Sequence, residues 1–361
     1  MSAEPSARGV TRRGFAVMLW ALVFAVLSSL LVEQRGLAHV QGVVWPSDLY
    51  AFQQVEQGPV DVAILGSSRA AFGLVPTVMD HCLAERLDRP VHSVNISRAF
   101  TTAYAADMLA EGLLRGPRKP TVLILAIEPE FFDENNPRIS INVGTLARLA
   151  DIPAALATVK NLRTFFGVLR PLVRGPETLA LYLSGRWDSK PSLRWLMLHH
   201  GGGLFCSESE ECRVHNRALE GTLEGWWDVV ATHLLPRLEQ TRFPDYTVGT
   251  GPVHAHAERL LAWAEAQDIQ VVLVELPRLA EFEKHIPKDV GPAYQAYLQQ
   301  LRERHPLPFH PAGKSSWTQR RNYYVDGEHF NAAGATRYSR EVCQDTIAPL
   351  LRSSPGPSPE G

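Results

Sequence analysis

Four strand-like segments constrain the fold of this chain more than any other feature: the mainly apolar runs "VAILGS" (62–67), "TVLILAIEP" (121–129) and "IQVVLVELP" (269–277), and the more polar "VHSVNIS" (91–97). The three apolar runs lack the alternation of a half-exposed strand. Each is followed or preceded by a helical pattern, such as Leu74, Val75, Val78, Met79, Cys82, Leu83 and Leu87 after the first. Strands without alternation, interleaved with amphipathic helices, predict a parallel sheet covered on both faces, an α/β three-layer fold. Helices are expected at 101–114 and over "HAHAERLLAWAEAQ" and "PAYQAYLQQLRER", with a short fifth strand at "LPFHP" and a last helix from about Ala335. At 45% hydrophobic and 20% charged residues, the composition excludes general disorder. A formal net charge of -2 with no basic tract beyond the N-terminus argues against a nucleic-acid partner.

The rhythm lapses between about 131 and 251, a stretch read as a helical insertion that carries Trp187, Trp195, Trp226 and Trp227. Those tryptophans are expected to be buried rather than to stack on sugars. The α/β domain is placed at 59–352, with 33–58 as a connection and 353–361, rich in Pro, Gly and Ser, as a disordered tail.

From Gly14 to Val32 no residue is charged. As a helix, those residues would reach roughly 28 Å at about 1.5 Å per residue, enough to cross a bilayer core. Arg8, Arg12 and Arg13 precede the run, so residues 1–13 are expected in the cytoplasm and the main domain outside it. "TRRGFAV" also fits a twin-arginine export signal, but the long apolar run and the lack of a nearby small-x-small site favour an uncleaved transmembrane helix over 14–32. Of the four cysteines, Cys206 and Cys212 bracket "SESEE" as a possible small disulfide outside the cytoplasm. Cys82 and Cys343 lie on apolar helical faces and are expected as buried free thiols.

The first strand ends in Gly66-Ser67-Ser68-Arg69, a tight turn of the kind that presents a nucleophile. A nucleophilic serine needs a base within reach, and the base needs a group to fix its tautomer. "DGEHFN", ahead of the last helix, supplies both: Asp326 and His329, three apart, project to one side if the loop makes a helical turn. His254 and His256, two apart on a helix, face different ways, and no metal or organic cofactor is required by these residues.

A serine turn after the first strand and an Asp-x-x-His before the last helix resemble the SGNH (GDSL-type) hydrolase superfamily. "GSS" stands where that family has Gly-Asp-Ser. The resemblance implies a flavodoxin-like parallel sheet, Ser68 as nucleophile, His329 as base and Asp326 as its orienting group, with Ser67 as the smaller alternative nucleophile. Within the superfamily, "LGSSR" and the N-terminal anchor resemble the membrane-tethered branch of DltD-like and alginate O-acetylation proteins. That implies a serine esterase or O-acyltransferase on an acylated envelope polymer or glycan, beside a membrane-bound O-acyltransferase and the lipid bilayer. The family's oxyanion Gly and Asn are replaced: the second strand ends "NISRAF" and the third "AIEPEFF", with Glu128 at the Asn place and Asn135 and Asn136 out of register. Gly66, Arg69 and Ser97 are the candidates for substrate or oxyanion contact. The missing pair also supports a second reading, a non-catalytic scaffold of an envelope-polymer machine.

Overall fold

The computed structural model describes residues 7–34, 59–98, 100–114, 119–136, 139, 235, 242–312, 315–324 and 326–353. These fall in two units, an N-terminal helix and an α/β domain. Helix α1 (Ala7–Gln34) exposes large apolar side chains, among them Phe15, Trp20, Phe24 and Leu27. Among the described residues no helix is long and apolar enough to cross a membrane. Most of the expected insertion, including Cys206, Cys212 and its four tryptophans, lies outside the described residues, as do most of the 33–58 connection and the tail beyond 353.

In the α/β domain, five parallel strands stand in the order β2-β1-β3-β4-β5: β1 (Val62–Gly66), β2 (Ser93–Asn95), β3 (Val122–Ile127), β4 (Gln270–Glu275) and β5 (Phe309–His310). The runs that lack alternation are the buried strands: every residue of β1 and β3 is out of water. Burial on both faces removes any reason for a polar residue at every second position. The order reverses at β1, with β2 on one side and β3 on the other. Loops leaving the carboxyl ends of β1 and β3 therefore diverge and leave a crevice, where open parallel sheets bind ligands. Ser67–Arg69 and Glu128–Glu130 sit at those two ends.

Helix α2 (Ser68–Gly73) follows β1 directly, and α3 (Pro76–Leu87) follows it. After β2 comes α4 (Ala103–Leu113), buried along nearly its whole length, and after β3 the single turn α5 (Pro129–Phe132). Helix α6 (Pro252–Ala266) packs on α4 and leads into β4; α7 (Ala280–Glu283) and α8 (Val290–Arg304) lie between β4 and β5. The chain closes with α9 (Ser315–Thr318), a 3₁₀ turn at Arg321–Tyr323, α10 (Ala332–Val342), a π turn at Cys343–Ile347 and α11 (Ala348–Ser353).

Cys82 and Cys343 are not free thiols. Helices α3 and α10 cover the same face of the sheet, which brings the two Cα atoms to 6.5 Å, and the sulfurs are bonded. Both lie on buried helical faces, as the periodicity predicts; what the periodicity does not carry is that the two faces meet.

Candidate active site

Gly66 ends β1 because nothing larger fits. A Cβ there would stand 2.7 Å from the Ala70 Cβ and 2.8 Å from the Ala126 carbonyl oxygen, so the turn into α2 passes directly against β3. Gly66 thus shapes the turn through its backbone. Ser67 caps α2, its Oγ accepting from the Arg69 amide at 3.2 Å. That bond turns the Ser67 hydroxyl to the backbone and leaves Ser68, the first residue of α2, facing the crevice. Its amide is among the first N–H groups of a helix, which find no carbonyl within the helix.

Asp326 and His329 arrive on a loop bracketed by the antiparallel pair Tyr324 and Phe330. Gly327 turns this loop with φ 90°, a conformation that favours glycine, and its carbonyl accepts from the Leu279 amide at 2.8 Å. The Asp326 carboxylate binds its own loop: Oδ1 accepts from the amides of Glu328 (3.2 Å) and His329 (2.9 Å), and Oδ2 lies 2.8 Å from His329 Nδ1. Nε2 of the same ring lies 2.9 Å from Ser68 Oγ. With Nδ1–H donating to Asp326, Nε2 is left to accept from the Ser68 hydroxyl. Phe72 packs edge-on against the imidazole at 5.1 Å. Burial would lower the affinity of His329 for a proton, but the Asp326 charge and hydrogen bond outweigh it and raise its pKa above the ordinary value. Serine, imidazole and carboxylate in one hydrogen-bonded line can pass a proton from Ser68 to His329 as the serine oxygen attacks.

The Arg69 guanidinium and the Ser97 amide are engaged elsewhere, while the Ser97 hydroxyl is buried with no hydrogen-bond partner among the described residues. Arg69 is buried, its Nη1 donating to Glu128 Oε2 at 2.7 Å, Nε to the Glu328 carbonyl at 3.3 Å, and Nη2 to the carbonyls of Leu276 and Pro277. The expectation that Arg69 contacts substrate or an oxyanion is not met by its geometry: the cation turns inward, where the carboxylate of Glu128 and the carbonyls at the end of β4 hold it. The Ser97 amide donates to the Asn95 side chain at 3.0 Å, and Ser97 is not among the residues that line the crevice.

The crevice at Ser68 encloses about 480 Å³, its open mouth included. Among the described residues Phe100 is its one apolar side chain; the others that line it are Ser67, Thr101, Asn136, Arg69, Arg242, Glu128, Glu130, Glu328 and His329. Phe100 holds φ 67°, the left-handed region that a non-glycine residue seldom adopts. Arg242 meets Glu328 through both carboxylate oxygens, with Nη1 at 2.5 Å from Oε2. Burial would push the Glu328 carboxyl up, but the Arg242 guanidinium holds it well below the usual range, helped by His329 and Arg278. Glu130 is likewise buried and likewise lowered, by Arg278 at 2.5 Å and by Arg242.

Sequence reasoning missed Arg242, Arg278 and Glu130. Glu128-Pro129-Glu130 at a strand end was a usable signal, since it marks the functional edge of a parallel sheet. Asn136, out of register along the strand, reaches the crevice after the α5 turn, whereas Asn135 points away to Asp245 and Thr247.

The domain is therefore a parallel α/β domain with a hydrogen-bonded Ser-His-Asp arrangement at its topological switch point. No protein-family model matches the chain, and no curated protein matches it. Among solved structures it is similar to a "putative acylhydrolase" from Bacteroides fragilis NCTC 9343, at 13% identity and a TM-score of 0.35, covering 85% of this chain and 99% of that one. A likeness of that degree carries neither fold nor activity across to this chain.

Proposed function

We propose that this chain is a membrane-anchored, extracytoplasmic serine acyl esterase or O-acyltransferase acting on ester groups of cell-envelope glycans or polymers. The observation that carries the catalytic part is the line from Asp326 through His329 to Ser68. In the reaction, Ser68 Oγ attacks the ester carbonyl while His329 takes its proton. The C–O bond to the alcohol breaks, the alcohol leaves with the proton from His329, and an acyl-serine remains. Water or a polymer hydroxyl, deprotonated by His329, then takes the acyl group and restores Ser68.

The walls of the crevice favour a short acyl group. Among the described residues Phe100 is the single apolar wall, and three carboxylates with two guanidiniums make up much of the remainder, which suits a hydroxylated alcohol better than a fatty chain. The anchor and the compartment rest on the uncharged run Gly14–Val32, on the exposed apolar side chains of α1, and on the Cys82–Cys343 disulfide, which suits an oxidising compartment. A membrane-bound O-acyltransferase as neighbour rests on the family resemblance alone.

One observation favours the second reading, a non-catalytic scaffold: the Arg69 guanidinium is bound to Glu128 and to the Leu276, Pro277 and Glu328 carbonyls, and the Ser97 amide to Asn95, leaving the Ser68 amide with little backbone help. The full chain in detergent, treated with a fluorophosphonate and assayed with p-nitrophenyl acetate and octanoate, separates the two. Labelling with turnover of acetate over octanoate is expected. A folded chain that neither labels nor turns over acetate is a scaffold.

A further inference from the structure

Arg69 is next to Ser68 in sequence, yet its side chain reaches past the nucleophile to the opposite side of the site. A guanidinium carries its donors in a rigid planar fork. Here Nη1 is taken by Glu128 after β3, Nη2 by the Leu276 and Pro277 carbonyls after β4, and Nε by the Glu328 carbonyl in the His329 loop. Its own backbone belongs to α2, after β1. One side chain thus ties together the carboxyl ends of three strands and the loop that carries the imidazole.

The charges around it are arranged to keep it there. Arg69, Glu128, Arg278, Glu130, Arg242 and Glu328 alternate in sign, linked at 2.7 Å for the first pair, 3.7 Å for Glu128–Arg278 and 2.5 Å for Arg278–Glu130. The chain continues through Glu130–Arg242 at 3.6 Å and the paired contact of Arg242 with Glu328. The Arg69–Glu328 carbonyl bond closes it into a ring. Every buried charge in it faces an opposite one, the condition under which buried ions are tolerated.

We infer that Arg69, held by Glu128, is a positioning residue that sets the separation of Ser68 and His329; this rests on the proposed role of Ser68 as nucleophile. The Asp326–His329 bond lies within one loop and survives without Arg69. The Ser68–His329 bond joins two elements far apart in sequence and depends on how that loop sits against α2. Phe72 and Phe330 pack across this boundary, but apolar contact fixes distance less sharply than a directional fork does.

The test is the double variant Arg69→Met/Glu128→Leu, which removes the brace without leaving a buried charge unpaired. Arg69→Lys serves as the second variant, keeping the charge balance and losing the fork. A crystal structure of either should show Ser68 Oγ and His329 Nε2 beyond about 3.5 Å, outside hydrogen-bond reach. With p-nitrophenyl acetate, kcat should fall on the order of 100-fold, as for a misplacement of about 1 Å, while KM stays within about threefold. The His329 titration followed by NMR should not move, because Asp326 remains. A folded variant in which the Ser68–His329 separation is kept and kcat stays near wild type overturns the inference. A wild-type chain that never labels with fluorophosphonate sinks the catalytic reading instead, and the distance in the variant still decides the positioning.

Discussion

The Ser68 hydroxyl oxygen lies 2.9 Å from Nε2 of His329, although 261 residues separate the two in the chain. Ser67, one residue earlier, spends its hydroxyl on the Arg69 amide. The two serines should therefore behave differently. Ser68→Ala should abolish fluorophosphonate labelling and lower acetate release by about 10⁴-fold or more. Ser67→Ala should keep labelling and lose about 1 kcal/mol of stability with its cap. Intact-mass measurement and thermal melts of both variants check this; labelling that survives Ser68→Ala and vanishes in Ser67→Ala would reassign the nucleophile.

The pH dependence follows from the pairing of His329 with Asp326. The base must be neutral to accept the serine proton, and Asp326 raises the His329 pKa despite its burial. kcat/KM should then rise with pH through a midpoint above about 6.5. The linkage to stability runs the other way: this pair stabilises the fold fully below the unfolded imidazole pKa, and that contribution is lost as pH rises through the folded value. Asp326→Asn removes the main raising cause and leaves burial, so its midpoint should lie below that of wild type and its kcat should fall by up to about 10⁴-fold. A pH–rate profile of both proteins measures it; coincident midpoints would separate the raised pKa from Asp326.

The strands were legible because burial on both faces writes itself as an unbroken apolar run, and β1, β3 and β4 lie inside the runs that predict them. β2 keeps only Ser93–Asn95 of the seven-residue segment, although the Ile96 and Arg98 amides still donate to the Ile64 and Gly66 carbonyls of β1, and the Asn95 side chain donates to the Ala70 and Leu74 carbonyls. The nearness of Asp326 to His329 could be read because it is local, three residues on one loop. The charged ring could not. Arg278 and Arg242 join it only through the placement of the β4 end and of the segment after 241, and no spacing along the chain encodes that. The inward turn of Arg69 is illegible for the same reason, because its acceptors arrive from the ends of β3 and β4 and from the His329 loop.

The disulfide joins Cys82 in α3 to Cys343 at the start of the π turn, across 261 residues. Closing so long a loop removes much unfolded-state freedom, on the order of 5 kcal/mol in the chain-entropy account. Both sulfurs are buried beneath α10, whose N-terminal end carries the chain away from the His329 loop. Replacing both cysteines by alanine should lower the melting temperature clearly while the Ser68 labelling rate at 25 °C stays near wild type. Calorimetry with and without reductant tests it, and a melt indifferent to both the double replacement and reductant would show that the bond contributes nothing.

Asp133 offers a second pH test, independent of the nucleophile. Its residue is fully out of water; Oδ1 accepts from the Asn135 and Thr247 amides at 3.0 and 3.2 Å, and Oδ2 has no hydrogen-bond partner among the described residues. Burial pushes its pKa up to about 6 against the lowering pull of the two amides, with Glu130 and Glu134 adding to the rise. The folded state thus resists ionising Asp133 more than the unfolded chain does. Stability from this group is fully present below the unfolded carboxyl pKa and is lost as pH rises through about 6. Asp133→Asn keeps an acceptor at Oδ1 and removes the titration. Its stability relative to wild type should therefore be higher at pH 7.5 than at pH 5, read from urea melts at both. Asp80, also raised to about 6, is present in both proteins and drops out of the difference. A difference that does not change between the two pH values would mean that Asp133 titrates as an ordinary carboxylate and that its unpartnered oxygen is hydrated.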